Sequence, residues 1–211
     1  KGDMIVVKQS VQWEQELPAN ALQIIERAGR TCYKSEDKIT GNSAERFVRS
    51  IIASGHHSVL EHVGASIRFI TDRGVSHELC RHRLASISQE SSRYCNYGKV
   101  GEVTFIKPVF FEPRTWEWDL WQLACEESEQ HYLELLEYGR TPQEARTVLN
   151  NSLKTELVVS CNIREWRHIL SLRCSKAAHP QMRALALDTL ELFKAKCPVL
   201  VEDIVHSLEG K

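Results

Sequence analysis

Arg81-His82-Arg83-Leu84-Ala85-Ser86-Ile87-Ser88-Gln89-Glu90-Ser91-Ser92-Arg93-Tyr94 is the stretch on which the reading of this chain turns. Two arginines stand within three residues, a hydroxyl-rich turn follows, and then a third arginine. Arginine forks match phosphate oxygens bidentately, and a Ser-Ser turn adds hydroxyl and backbone N–H donors, so the run reads as an anion site. Residues 75–86 are expected to be helical. On a helix Arg81 and Arg83 point about 200° apart, toward two ligands or two walls of a cleft. A solvated basic turn with serine caps is an equal alternative for such a run taken by itself.

Outward from this stretch the periodicities mix. Upstream, residues 65–71 alternate as a strand, with Ala65, Ile67 and Phe69 on one face and Ser66 and Arg68 on the other. Ser43 is expected to N-cap a helix with the stripe Phe47, Val48, Ile51 and Ile52, which Gly55 ends. Residues 18–30 read as a helix on Leu22, Ile25 and Ala28, and residues 4–7 as a short strand. Downstream, residues 104–111 are β-like but interrupted by Pro108. Residues 115–138 form a long helix with Trp121, Ala124, Cys125, Ser128, Tyr132, Leu135 and Leu136 on one face. Thr141-Pro142-Gln143-Glu144 is a helix start with a capping box. Residues 155–161 alternate as a strand and 164–172 form a short helix. Pro180 opens a last long helix on Met182, Leu185, Ala186, Thr189, Leu190 and Phe193, and Pro198 stops it. Without regular βαβ alternation the expected fold is α+β: one domain over residues 1–211, with a central, largely antiparallel sheet flanked by helices. Met4 reads as the native start, with Lys1-Gly2-Asp3 a cloning remnant.

The composition is that of an ordinary globular protein, 42% hydrophobic and 26% charged. A net charge of -1 argues against nonspecific nucleic-acid binding, which needs a basic excess, but allows a local site for a small anion. The seven cysteines are odd in number and lack C-x-x-C pairs, which points to free thiols in a reducing, cytoplasmic compartment. No apolar run approaches the length of a membrane span.

Arg81-His82-Arg83, seven residues, then Ser91 resembles the Arg-His-Arg-x7-Ser signature of the flavin-dependent thymidylate synthases, and the likeness runs on through Arg93-Tyr94. Upstream, Gly55-His56-His57-Ser58-Val59-Leu60-Glu61-His62 resembles that family's Gly-His-x-Ser/Thr-x-x-Glu-His segment. Downstream, Ala145-Arg146, Asn162-Ile163-Arg164 and Leu172-Arg173 fit its later ligand positions. Several blocks in the right order, within residues 20–198, are a strong signal where one motif is weak.

The resemblance implies FAD as cofactor and reductive methylation of dUMP to dTMP. Methylenetetrahydrofolate would give the carbon, NADPH would be the reductant, and the enzyme would be a homotetramer with shared sites. It places Arg81, His82 and Arg83 on the flavin, lined further by Ser58, Glu61, Asn162, Arg164 and His168, with His56 near its reacting face. Ser91, Ser92 and Arg93 would hold the dUMP phosphate, Arg146 adding a contact and Arg173 reaching the uracil. Gln89 is assigned to both flavin and dUMP, and Glu78 to dUMP. Glu78 stands near a position where many members carry Gln, and His168 where one carries Asn. Taken alone, Arg146 and Arg173 would read as surface charges and His56 as a structural histidine.

Carbon 5 of dUMP is a poor nucleophile. The unrelated classical thymidylate synthases activate it with the thiolate of a Pro-Cys-His segment, and no Pro-Cys-His occurs here. Cys80, beside Arg81, has an adjacent cation to lower its pKa. The alternative is polarisation of the uracil carbonyls by a cation, for which Arg173 is the candidate. Ser91 reads as a phosphate ligand rather than a nucleophile, since no histidine–carboxylate relay is evident around it. Two rival readings are weaker. His57 and His62 flank Glu61 like a zinc motif, but at i and i+5 they lie about 140° apart on a helix, so no metal is expected. A nucleotide or RNA binder would need aromatic stacking positions that the sequence does not show.

Overall fold

The computed structural model describes residues 4–95, 97 and 103–210; Lys1-Gly2-Asp3, read above as a cloning remnant, lie outside the described residues. The strands are β1 (Ile5–Val7), β2 (Ser10–Gln15), β3 (Gly64–Asp72), β4 (Ser86–Gln89), β5 (Thr104–Ile106) and β6 (Lys154–Asn162). The α-helices are α1 (Ala21–Tyr33), α2 (Ser43–Ala53), α3 (Arg73–Leu79), α4 (Trp116–Glu137), α5 (Pro142–Ala145), α6 (Ile163–Arg173), α7 (Pro180–Lys196) and α8 (Glu202–Glu209). One sheet has the order β2-β3-β6-β4 and is antiparallel, and β1 pairs with β5 in parallel. The α+β expectation holds. By contacts the chain divides into two compact units, and β3, β4 and β6 each contribute residues to both.

The first unit comprises Lys1–Ser10, Phe69–Arg81 and Ser88–Leu157. Its core gathers Val103, Phe105, Cys125, Tyr132, Ala145 and Leu153. Thr115 caps α4, its hydroxyl accepting from the Trp118 N–H. The face α4 buries runs through Cys125, Ser128 and Tyr132, with Trp121 and Leu135 half-buried. Ala124, expected on that face, is exposed, because the buried positions follow i, i+3 and i+7 from Cys125. The start of α5 is as expected: the Thr141 N–H donates to the Glu144 carboxylate at 2.9 Å.

The second unit comprises Val11–Arg68, His82–Ile87 and Val158–Lys211. The full stripe expected for α7 is buried, from Met182 to Phe193. In α1 the buried face is Ala21, Ile25, Glu26 and Gly29. Leu22 and Ala28 flank that face and are half-buried, and the helix starts three residues later than Pro18. Ser43 is the first residue of α2 and not its N-cap; Asn42 holds that position, and the Ser43 hydroxyl donates to the buried Glu26 carboxylate. Gly55 ends α2 as expected. At φ 73 it lets the Gly55 N–H reach the Ile52 carbonyl and the His56 N–H reach the Ile51 carbonyl, a Schellman closure.

The helix expected over 75–86 stops at Leu79. It begins two residues earlier, where the Asp72 carboxylate accepts from the Val75 N–H at 2.7 Å. Past Cys80 the chain turns and then enters β4, so Arg81 and Arg83 do not share a helix and the 200° argument does not apply. Residues 104–111 yield only β5, ending before Pro108.

Candidate active site

The described site residues fall into two groups, one in each unit. In the second unit, α6 starts where Asn162 caps it, its side-chain oxygen accepting from the Glu165 N–H at 3.0 Å. The cap is pinned from behind by the Ile163 N–H on the Val63 carbonyl. The caps and turns therefore set the register of Asn162, Arg164, Glu165, His168 and Arg173 along one helix. Facing them, the 3-10 segment His57–His62 presents Glu61, whose carboxylate meets the Arg164 guanidinium at 2.6 Å. Both partners are about half-exposed, so this pair orients more than it stabilises.

These residues wall a cavity of about 680 Å³, within the size range of cofactor pockets. Glu61, Asn162, Arg164 and His168, all assigned to the flavin from sequence, line it. So do His57, Leu84, Glu165, Arg167 and Ser171, which sequence reading left out. Ser58 and His56 sit on the same exposed segment, and Arg83 is exposed on the turn after His82. His57 and His62, weighed as a zinc pair, lie on a 3-10 helix, where i and i+5 stand about 120° apart and still share no face.

His82 is the buried residue of the Arg-His-Arg run, 5% exposed. Its Nε2 accepts from the Arg173 Nε–H at 3.1 Å, and its Nδ1 lies 3.7 Å from the Glu165 carboxylate. The His168 ring stands edge-on, 6.0 Å between centroids. Burial first, then the charges of Arg173 and His168, hold the His82 pKa down at about 4. The imidazole is neutral at pH 7, with Nε2 its acceptor. The ligand atoms of His82, Glu165 and His168 lie within 4.8 Å of one another. A cation drawn between them would face the Arg173 guanidinium, so we read the cluster as the electrostatic surroundings of the His82–Arg173 hydrogen bond.

A pH prediction follows from the His82 shift. Its folded pKa lies below the ordinary 6.5, so the stability from keeping it neutral is fully present above pH 6.5. That contribution is lost as pH falls toward about 4. The unfolding midpoint of the His82→Gln variant should fall less steeply across this window than that of the parent protein. Parallel curves would contradict it.

In the first unit Ser91 opens a tight turn, its carbonyl accepting from the Tyr94 and Cys95 N–H groups. Ser92 is buried, and its hydroxyl accepts from the Arg146 guanidinium at 3.1 Å. Ser92 and Arg146 share a crevice of about 220 Å³ with Arg73, His77, Asn150 and Asn151, large enough for a phosphate group. Arg73 and His77 lie one turn apart on α3, a spacing legible in the sequence but unused there. Arg93 is exposed and stacks over Tyr94 at 5.3 Å. Gln89 donates to the Ser76 and Thr155 hydroxyls, so its amide nitrogen already serves the fold. Glu78 is half-buried on α3, and Arg81 is exposed beyond its end, its N–H on the Glu78 carbonyl.

Comparison with known proteins places the chain in one family. The profile of the thymidylate synthase complementing protein family matches residues 16–199. A flavin-dependent thymidylate synthase from Geobacter sulfurreducens is 34% identical over 185 residues, covering 83% of this chain and 78% of that protein. One from Corynebacterium aurimucosum is 34% identical over 215 aligned positions, covering 92% and 85%. Among solved structures, thymidylate synthase X from Helicobacter pylori with FAD and dUMP superposes with a TM-score of 0.78 at 25% identity, covering 93% of this chain and 98% of that one. A UMP/dUMP methylase from Streptomyces cacaoi bound with 5-Br dUMP gives 0.78 at 25% identity, covering 96% and 97%.

Proposed function

The chain belongs to the flavin-dependent thymidylate synthase family, FAD-dependent methyltransferases that make dTMP. From that premise we propose that it converts dUMP to dTMP with methylenetetrahydrofolate as carbon donor and NADPH as reductant. The observation that carries the flavin assignment is the convergence of Glu61, Asn162, Arg164 and His168 on one cavity. The cavity fits the group by its size and by its donors: the Arg164 guanidinium and the Asn162 amide, whose oxygen the helix cap occupies. When bound, reduced FAD supplies the hydride and helps relay the one-carbon unit.

The chain's own residues bind, orient and polarise. Ser91, Ser92, Arg93 and Arg146 hold the phosphate, and Gln89 and Glu78 add contacts to dUMP. Arg81 and Arg83 would hold the flavin's pyrophosphate, and His56 and Ser58 would contact its ring. Arg173 draws charge toward a uracil carbonyl as carbon 5 attacks. A thiolate route through the buried thiols is disfavoured: burial pushes those of Cys125, Cys161, Cys174 and Cys197 above their ordinary range, Cys174 to about 11.

The reading includes a homotetramer acting in the cytoplasm, each chain working as one domain. An apolar stripe on α4 supports assembly: Trp116, Leu120 and Leu123, at helical spacing, are 72%, 58% and 52% exposed. All seven thiols are free, as a reducing compartment requires. Among the described residues no helix is long and apolar enough to cross a membrane. Incubation with excess FAD followed by gel filtration tests both parts. The expected product is yellow and elutes near four times 24.2 kDa. A colourless protein would end the flavin assignment, and a monomer active in the dUMP assay would end the tetramer.

A further inference from the structure

Glu165 belongs to no ligand set assigned above, yet it is a carboxylate with a side chain only 8% exposed. Water does not explain its burial, and a buried carboxylate needs partners. It has three neighbours of consequence, one of them His168, whose ring offers a nitrogen within 4.8 Å. Toward one side its charge acts on the Cys161 thiol, which burial and then Glu165 push upward. Toward the other its Oε1 lies 3.7 Å from His82 Nδ1. That distance is too long for a direct hydrogen bond and short enough for a strong charge–dipole contact.

A neutral imidazole carries one proton, on either of two nitrogens. An anion facing Nδ1 favours the proton there. Nε2 is then a bare acceptor, and the Arg173 Nε–H donates to it at 3.1 Å. In the other tautomer two N–H groups would point at each other and the guanidinium would be pushed away. We propose that Glu165 is a positioning residue: its buried carboxylate fixes the His82 tautomer, and the imidazole in turn fixes the orientation of the Arg173 guanidinium. All three sit in the second unit, Glu165 and Arg173 on the same helix. The proposal rests on the role given to Arg173 above.

The test uses the FAD-loaded enzyme with histidine labelled with nitrogen-15. Two-bond nitrogen–proton spectra of the ring read the tautomer directly, whatever the activity. The parent enzyme is expected to show His82 protonated on Nδ1. Glu165→Gln keeps the size and removes the charge. It should shift His82 toward the Nε2-protonated form and lower kcat about 10- to 100-fold, with KM for dUMP changed less than about 3-fold; misplacing a positioned group by about 1 Å costs on that order. Glu165→Asp restores a carboxylate and should recover the tautomer and most of kcat.

An Nε2-protonated His82 in the parent enzyme overturns the proposal, even if every variant fails to fold. So does a Glu165→Gln enzyme with an unchanged tautomer. So does one with a changed tautomer and unchanged kcat, provided that Arg173→Ala is slow. A fast Arg173→Ala enzyme instead defeats the role of Arg173, while the spectra still decide whether Glu165 sets the tautomer.

Discussion

Arg173→Ala is expected to lower kcat for dUMP methylation by about 100-fold or more at saturating dUMP, with FAD retained. Charge that appears only as carbon 5 attacks is stabilised only in the transition state, so its loss falls on kcat. Removal of one oxyanion-hole donor elsewhere costs about 2.7–4 kcal/mol, and a cation in that position belongs to the same class. In the structure the Arg173 guanidinium is half-buried and tied through Nε to a buried neutral imidazole. Ser91→Ala provides the contrast. It removes a hydroxyl from a half-buried turn, and one hydrogen bond to a charged group is worth about 1.5–3 kcal/mol, felt mostly as a raised KM. Steady-state kinetics of both variants with dUMP, methylenetetrahydrofolate and NADPH separates the two roles. Loss of turnover in Ser91→Ala at saturating dUMP, with Arg173→Ala still fast, would reverse them and bring a nucleophilic serine back.

The parts of the fold that sequence made plain are those where one face is buried and periodicity is undisturbed. The α7 stripe was complete, and β3 and β6 lay within a residue of their expected ends, because each buries alternate or every third and fourth side chains. Two elements went unread although their patterns were present. Ser10-Val11-Gln12-Trp13-Glu14-Gln15 alternates as β2 does, but its apolar members are only two, and Trp13 finds its partner in Phe193, far away in sequence, at 4.9 Å. Helix α8 follows Pro198, where the sequence signals a stop and the Asp203 carboxylate, bidentate with the buried Arg167, supplies an anchor instead.

The site shows the same division. Glu61, Asn162, Arg164 and His168, grouped from sequence, line one cavity; the first three belong to matching motif blocks, while His168 lies one helical turn beyond Arg164 on the same helix. Motif spacing could not show that His82 is the buried member of Arg81-His82-Arg83, because burial of a histidine is decided by tertiary neighbours such as Glu165 and Arg173. Nor could it distinguish the half-buried Arg173 from the exposed Arg164. The helix expected through Ser86 failed for a related reason. The stretch Ser86-Ile87-Ser88-Gln89 has a period of two, and pairing with β6 outweighs the helix propensity that precedes it.

Trp166→Ala is expected to be the most destabilising single change on α6. The Trp166 ring is 1% exposed, and it packs against Phe193 at 5.6 Å between centroids. Its indole N–H donates to the Ala65 carbonyl at 3.0 Å, tying α6 to β3 within the second unit. Truncating a buried Trp to Ala costs about 3–5 kcal/mol through lost burial and the cavity left behind. For a chain of this length that lowers Tm by roughly 6–20 °C. Trp166→Phe keeps most of the apolar volume and should lose mainly the hydrogen bond, roughly 1 kcal/mol. Thermal unfolding must be compared at fixed subunit and FAD concentrations, because ligand binding and assembly shift Tm by mass action. A shift of less than about 2 °C for Trp166→Ala would show that the helix is held by other contacts. Arg164, Glu165, His168 and Arg173 project from that same helix, so weakening its attachment to the sheet should also loosen the geometry on which turnover depends. Loss of kcat in Trp166→Ala, measured well below its Tm with flavin still bound, would then report misalignment of intact side chains rather than unfolding.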